Sequence, residues 1–154
     1  MNSEFIVAIH ALAYLDHRHT TVSSEELARS ICTNPARIRK VMSALKTAEL
    51  LDTKEGNHGG YELHKKAEDI LLSDVANALQ LSSKSHSRRN KTLNQDCMIS
   101  TGMGIVVDEL STSLYAQCIQ YLSSITISDI SKRLIDLHQK TIKGGNEHGI
   151  DNSK

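Results

Sequence analysis

The sequence predicts a mainly α protein with a small β wing: a winged helix-turn-helix followed by a long dimerisation helix. Three observations predict it. Apolar residues recur at helical spacing along most of the chain. Residues 23–48 read as two short helices, each with its own capping signal. A glycine-tipped hairpin, LLDTKEGNHGGYEL, follows them directly.

Composition sets the frame. The chain has 154 residues, 39% of them hydrophobic, with only 3% aromatic and no Trp. That size suits one domain, or a small domain with an oligomerisation arm, and the core must be built from Ile, Leu, Val, Met and Ala. Formal net charge is zero, so any case for nucleic acid rests on local patches. No apolar run approaches the roughly 20 residues of a membrane span. The N-terminus lacks the basic start of a signal peptide. The expected location is the cytoplasm, with no membrane partner. The expected boundaries are a winged helix-turn-helix over 1–82, a linker or sensor loop over 83–98, dimerisation and C-terminal helices over 99–140, and a disordered tail over 141–154.

The elements follow in order. Phe5, Ile6, Ile9, Leu12 and Ala13 describe an amphipathic helix over about 3–18. In the next helix, Ser23 and Glu26 form a capping box and Leu27 and Ile31 face the core. Asn34 caps the second helix of the pair, and Pro35 sits where a missing N–H costs nothing. Ile38, Val41, Met42 and Leu45 then form a buried face at i, i+3, i+4 and i+7. The opposite face holds Ala36, Lys40, Ser43 and Thr47, flanked by Arg37 and Arg39.

From Asn34 to Ala48 the sequence has cations at 37, 39, 40 and 46 and no acid. Small and hydroxyl residues let such a helix approach base edges, while Arg and Lys reach guanine acceptors or phosphates. Alone, a cationic helix face is simply solvated. The hairpin alters that balance. Gly56, Gly59 and Gly60 around Asn57 and His58 allow a tight tip close to a phosphate. Lys54, Asn57 and His58 can reach a groove or the backbone. Tyr61 either meets a phosphate or seals the hairpin against the first helix. Ser24 and Thr33, at the two ends of the preceding helix, complete the predicted DNA-binding set.

Beyond the wing, SDVANALQ predicts a short helix capped by Ser73. The polar stretch SSKSHSRRNKTLNQD carries no apolar period, and its cations at 84, 88, 89 and 91 read as a solvated linker, with contact to DNA or an acidic effector as the alternative. A long helix over about 101–122 aligns Met103, Val107, Leu110, Leu114, Cys118 and Tyr121 in a stripe that needs a partner. A twin helix in a dimer is one partner; the chain's own first helix is the alternative. Thr126 and Asp129 open the last helix with capping-box spacing.

A first helix, a helix-turn-helix and a wing spelled Gly56, Gly59, Gly60, Tyr61, Leu63 resemble the Rrf-two family of bacterial winged-helix regulators. LARSICTNPARIRKVMSALKTAELL resembles the recognition-helix region of that family, and LSDVANAL its short helix after the wing. The resemblance covers roughly residues 1–140. It implies a homodimer on a palindromic operator in double-stranded DNA, usually as a repressor, paired through the long helix.

Many members hold an iron–sulfur cluster on closely spaced cysteines. Here Cys97 stands alone in that region, with Met103 six residues on and Cys118 deep in the helix. One thiolate does not hold such a cluster in the usual way, so no cofactor is expected. The layout also resembles thiol-based members, with Cys32 beside the recognition helix and Cys97 in a polar segment forming a redox pair between subunits. The competing reading makes Cys32 a small buried apolar residue, and Cys118 is expected to be structural. A regulator of this type sensing a small molecule, a metal or an iron–sulfur cluster, and a winged-helix module that binds only protein, are the remaining alternatives. The eight His residues show no zinc-site spacing. No catalytic constellation is present, so no enzyme activity is expected.

Overall fold

The computed structural model describes residues 3–56, 59–81 and 98–145, apart from the side chains of 98, 100, 101 and 143–145. Helices α1 (Ser3–Arg18), α2 (Ser24–Ile31) and α3 (Pro35–Thr47) precede strands β1 (Leu51–Lys54) and β2 (Gly60–Leu63). A 3-10 turn at Ala67–Asp69 leads to α4 (Leu72–Ala78), α5 (Met98–Leu122) and α6 (Ile127–Gly145).

Helix α1 buries Phe5, Ala8, Leu12 and Leu15 along one stripe, with Val7, Ala11 and Ala13 beside it. Ile6, expected on that stripe, stays 52% exposed. It lies one position off the Phe5 line and turns about 100° away. Helices α2 and α3 begin as their sequences require. Ser23 Oγ accepts from Glu26 N–H at 3.1 Å, and Asn34 Oδ1 accepts from Arg37 N–H at 2.8 Å. Ile38, Met42 and Leu45 are fully buried and Val41 nearly so, which locks α3 onto the core by one face.

The wing is an antiparallel pair with Leu51 opposite Leu63 and Lys54 opposite Gly60. The segment before α2 joins it as a short third rung. Val22 N–H donates to Tyr61 O at 2.9 Å, and Tyr61 N–H donates to Val22 O at 2.8 Å. Gly60 makes that approach possible, because a Cβ there would sit inside the Val22 carbonyl group.

Helix α4 departs from expectation at its start. Its N-cap is Leu71, whose N–H donates to the Asp74 carboxylate at 3.4 Å, and Ser73 is buried inside the first turn. The cause is tertiary. Leu71 bridges Thr126, with Leu72 N–H on Ile125 O and Ile127 N–H on Ile70 O, both at 2.9 Å. That rung holds residue 71 extended, so the helix begins at 72.

At the head of α6 the predicted box forms. Thr126 N–H donates to Asp129 Oδ2 at 2.9 Å and Asp129 N–H to Thr126 Oγ1 at 3.1 Å. Ile127 is fully buried in the same core as α1, α3 and α4. The helix runs through Gly145, past the boundary expected at 141; once nucleated, it propagates one turn further in spite of the weak helix propensity of Thr and Gly there.

Helix α5 packs its base on α4, while α1 takes α6 as its main partner. The predicted stripe on α5 is therefore open in the single chain: Leu110 is 60%, Leu114 67% and Tyr121 68% exposed. Leu134, Leu137 and Ile142 on α6 are open as well. Among the described residues no helix is long and apolar enough to cross a membrane.

Candidate nucleic-acid interface

Because Ile38, Val41, Met42 and Leu45 fix one side of α3 in the core, the other side faces outward. Ala36, Arg39, Lys40, Ser43 and Thr47 are all exposed, and Arg37 is half-exposed. The predicted reading face is thus one continuous strip beside the wing.

Several of the cations on and beside it are already engaged, however. Lys40 Nζ pairs with Glu4 Oε1 of α1 at 2.6 Å. Arg39 Nη1 pairs with Glu25 Oε1 of α2 at 3.4 Å and donates to Ser24 Oγ at the same distance. Lys54 pairs across the wing with Glu62 at 2.7 Å. Lys46 Nζ donates to Thr53 Oγ1 at 2.6 Å, tying the end of α3 to β1. Each pair lies at the surface, so a phosphate or base edge can replace the protein partner or share the cation with it.

Glu4, Glu25, Lys46 and Thr53 were not among the predicted site residues. Nothing local signals the two acids. Glu4 meets Lys40 across 36 positions, and Glu25 meets Arg39 across 14.

Ser24, Glu25, Thr53, Lys54, Gly56, Gly59, Gly60 and Tyr61 line a cleft of about 250 Å³ between the wing and the start of α2. Gly59 packs so closely on the Lys54 carbonyl that a side chain would displace the hairpin tip. Burial pushes the Tyr61 phenol up; Arg39 opposes this and Glu25 adds to it. Tyr61 packs against the core and pairs its backbone with Val22, which favours a sealing role over a phosphate contact by its hydroxyl. Glu25 is held below the usual carboxylate range by its own backbone N–H and then by the Ser24 hydroxyl, with Arg39 contributing. Asn57 and His58, also expected at the wing tip, lie outside the described residues.

Cys32 is exposed, not buried among apolar neighbours. It closes α2 in the left-handed region at φ 54°, and the N–H of Thr33 reaches back to Ala28 O at 2.9 Å. This is a helix-ending geometry usually given to glycine. It turns the Cys32 thiol out beside Thr33, at the start of the reading strip. Cys118 is exposed on α5. Cys97 lies outside the described residues.

The chain matches the family model described as "Rrf2: Iron-dependent Transcriptional regulator" over residues 1–133. It is 31% identical over 134 residues to YwnA of Bacillus subtilis (strain 168), assigned by name to the HTH-type transcriptional regulators; the match covers 87% of this chain and 98% of YwnA. Among solved structures, a protein from Lactobacillus plantarum named as a transcriptional regulator superposes with TM-score 0.76 at 28% identity, covering 97% of this chain and all of the other. CymR, the global cysteine regulator of B. subtilis, shares the fold with TM-score 0.63 at 16% identity, covering 86% of this chain and 96% of CymR.

The iron in that family description needs donors, and this chain's do not fit a thiolate-held cluster. Its three cysteines are scattered over a turn, a polar segment and the C-terminal part of a long helix. Among the described residues no three His, Cys, Asp or Glu side chains gather as metal ligands. Fold, reading strip, wing and sequence match agree on one assignment: the chain belongs to the Rrf2 family of winged-helix, DNA-binding transcription regulators, which are not enzymes.

Proposed function

We propose that this chain works in the cytoplasm as a homodimeric repressor. It docks α3 of each subunit into successive major grooves of a palindromic operator. Arg37, Arg39, Lys40 and Ser43 contact bases and phosphates, with Ala36 giving close approach. Thr33 and Asn34 lie where phosphates flank the groove, and Lys54, Asn57, His58, Gly59, Gly60 and Tyr61 place the wing on the neighbouring backbone; Ser24, expected to contact DNA, is buried with its hydroxyl on Glu25 and Arg39 and acts through them. The observation that carries this reading is the two-sidedness of α3: four apolar residues locked in the core, and an exposed strip of small, hydroxyl and cationic residues opposite. The open apolar faces of α5 and α6 supply the surface for pairing two such heads.

The same reading makes the dimer responsive to thiol oxidation, with Cys32 of one subunit joined to Cys97 of the other. The exposure of Cys32 beside the reading strip supports this, since a bond there would change how the heads sit on DNA.

A mobility-shift titration on DNA upstream of the protein's own gene, with and without oxidant, tests it. Affinity is expected to fall steeply with salt, each neutralised phosphate adding about 0.9 to the log–log slope. Arg39→Ala is expected to cost about 1–3 kcal/mol and to relax preference at one base position. Affinity that ignores salt refutes the docking.

A further inference from the structure

Resting on that reading of α3 as the DNA-docking helix, we propose that Glu25, on α2, is a specificity-determining residue: it holds Arg39 for base reading and penalises DNA that offers Arg39 no base. The argument starts from three side chains on two helices. Arg39 Nη1 lies 3.4 Å from both Ser24 Oγ and Glu25 Oε1. The Ser24 hydroxyl donates to the same Glu25 oxygen at 3.1 Å. The guanidinium is thereby held through one nitrogen by two acceptors that are themselves bonded.

A guanidinium carries five N–H donors in a rigid fork. Using Nη1 for the anchor leaves the edge made by Nε and Nη2, one of the two edges of the fork that can bond O6 and N7 of guanine together. An unanchored Arg would lose more rotamer freedom on docking. Glu25 therefore prepays part of the ordering of Arg39.

The second half of the role is repulsive. The Glu25 carboxylate lines the cleft between the wing and the start of α2. On a sequence without the matching guanine, Arg39 must swing to a phosphate or stay paired. If it swings, Glu25 keeps the Ser24 hydroxyl but loses its cation, and its negative charge is left near the DNA backbone. Discrimination then comes from a penalty on the wrong partner as well as a gain on the right one.

The test uses the full-length protein. A duplex is enriched from a randomised library by the wild type, and affinity for it and for a scrambled duplex is measured for wild type, Glu25→Gln, Arg39→Ala and the double variant. Glu25→Gln is expected to bind scrambled duplex several-fold more tightly and to lose about tenfold in the ratio of enriched to scrambled affinity. In the Arg39→Ala background the same change is expected to leave that ratio unaltered. Glu25→Asp gives a second readout: its charge is kept but its reach is shorter, so scrambled binding stays at the wild-type level while the ratio falls. A wild-type ratio in Glu25→Gln, or an equal loss with and without Arg39, overturns the proposal. Failure of the wild type to enrich any sequence instead overturns the DNA-binding reading beneath it, and this inference with it.

Discussion

Replacing Gly60 by Ala tests how the wing is attached to the head. The added methyl would overlap the Val22 carbonyl and crowd Ser23 N. Both neighbours are backbone, so neither can swing aside as a side chain would. The strand must move off the α1–α2 segment. That motion breaks or stretches the two Val22–Tyr61 bonds, at 2.9 and 2.8 Å. Each is worth about 0.5–1.5 kcal/mol net. Val22 is 1% exposed, and partly uncovering it adds about 1 kcal/mol of the roughly 1.5–3 available from full burial. The sum is about 2–4 kcal/mol. For a chain of this length that corresponds to roughly 5–15 °C in melting temperature. Differential scanning calorimetry at fixed protein concentration reads it. Operator affinity should fall as well, since Ser23 caps α2 and the displaced wing shares its cleft. A Gly60→Ala protein melting within about 2 °C of the wild type would refute the reasoning, because no overlap with a fixed backbone can be that cheap.

Three other outcomes follow from the same geometry. Leu110 and Leu114 project from α5 without cover in the single chain, so Leu110→Glu with Leu114→Glu should convert a dimer to a monomer in sedimentation velocity; an unchanged sedimentation coefficient removes α5 from the interface. Oxidised protein should run as a cross-linked dimer on a non-reducing gel, and Cys32→Ser or Cys97→Ser should each abolish that band; persistence of the band in both variants ends the proposed pairing. The Asp129 carboxyl is held low by the Thr126 N–H and then its hydroxyl. Its folded pKa lies below its unfolded one, so its contribution is complete above the ordinary value of about 4 and is lost as pH falls through the folded value. Asp129→Asn should accordingly flatten the drop in melting temperature below pH 5, and an unchanged acid profile would contradict the assigned bond.

What local sequence carries, it carried well. Ser23, Asn34 and Thr126 cap the helices their spacing assigned to them, and the 38, 41, 42, 45 face of α3 is buried as its period required. Helix ends were harder to read. His19, Cys32, Glu49 and Gln80 each take positive φ just after a helix, and none is the glycine that usually marks such a stop. The start of α4 depended on a rung with Thr126, more than 50 positions away. The same holds for the site. The strip on α3 was legible because it is one helix face. The acids that restrain it come from α1 and α2, and only the tertiary packing brings Glu4 to Lys40 and Glu25 to Arg39. The reach of α6 to Gly145 was obscured by the glycine-rich tail beginning there.

The rung between Leu71 and Thr126, with Ile127 sunk in the core, has a mechanical meaning. The last helix is clamped into the reading head at its root, so it behaves as a lever with its fulcrum inside the domain. A force on its shaft therefore bears first on α1 and the turn at 67–69, the parts of the head it packs against.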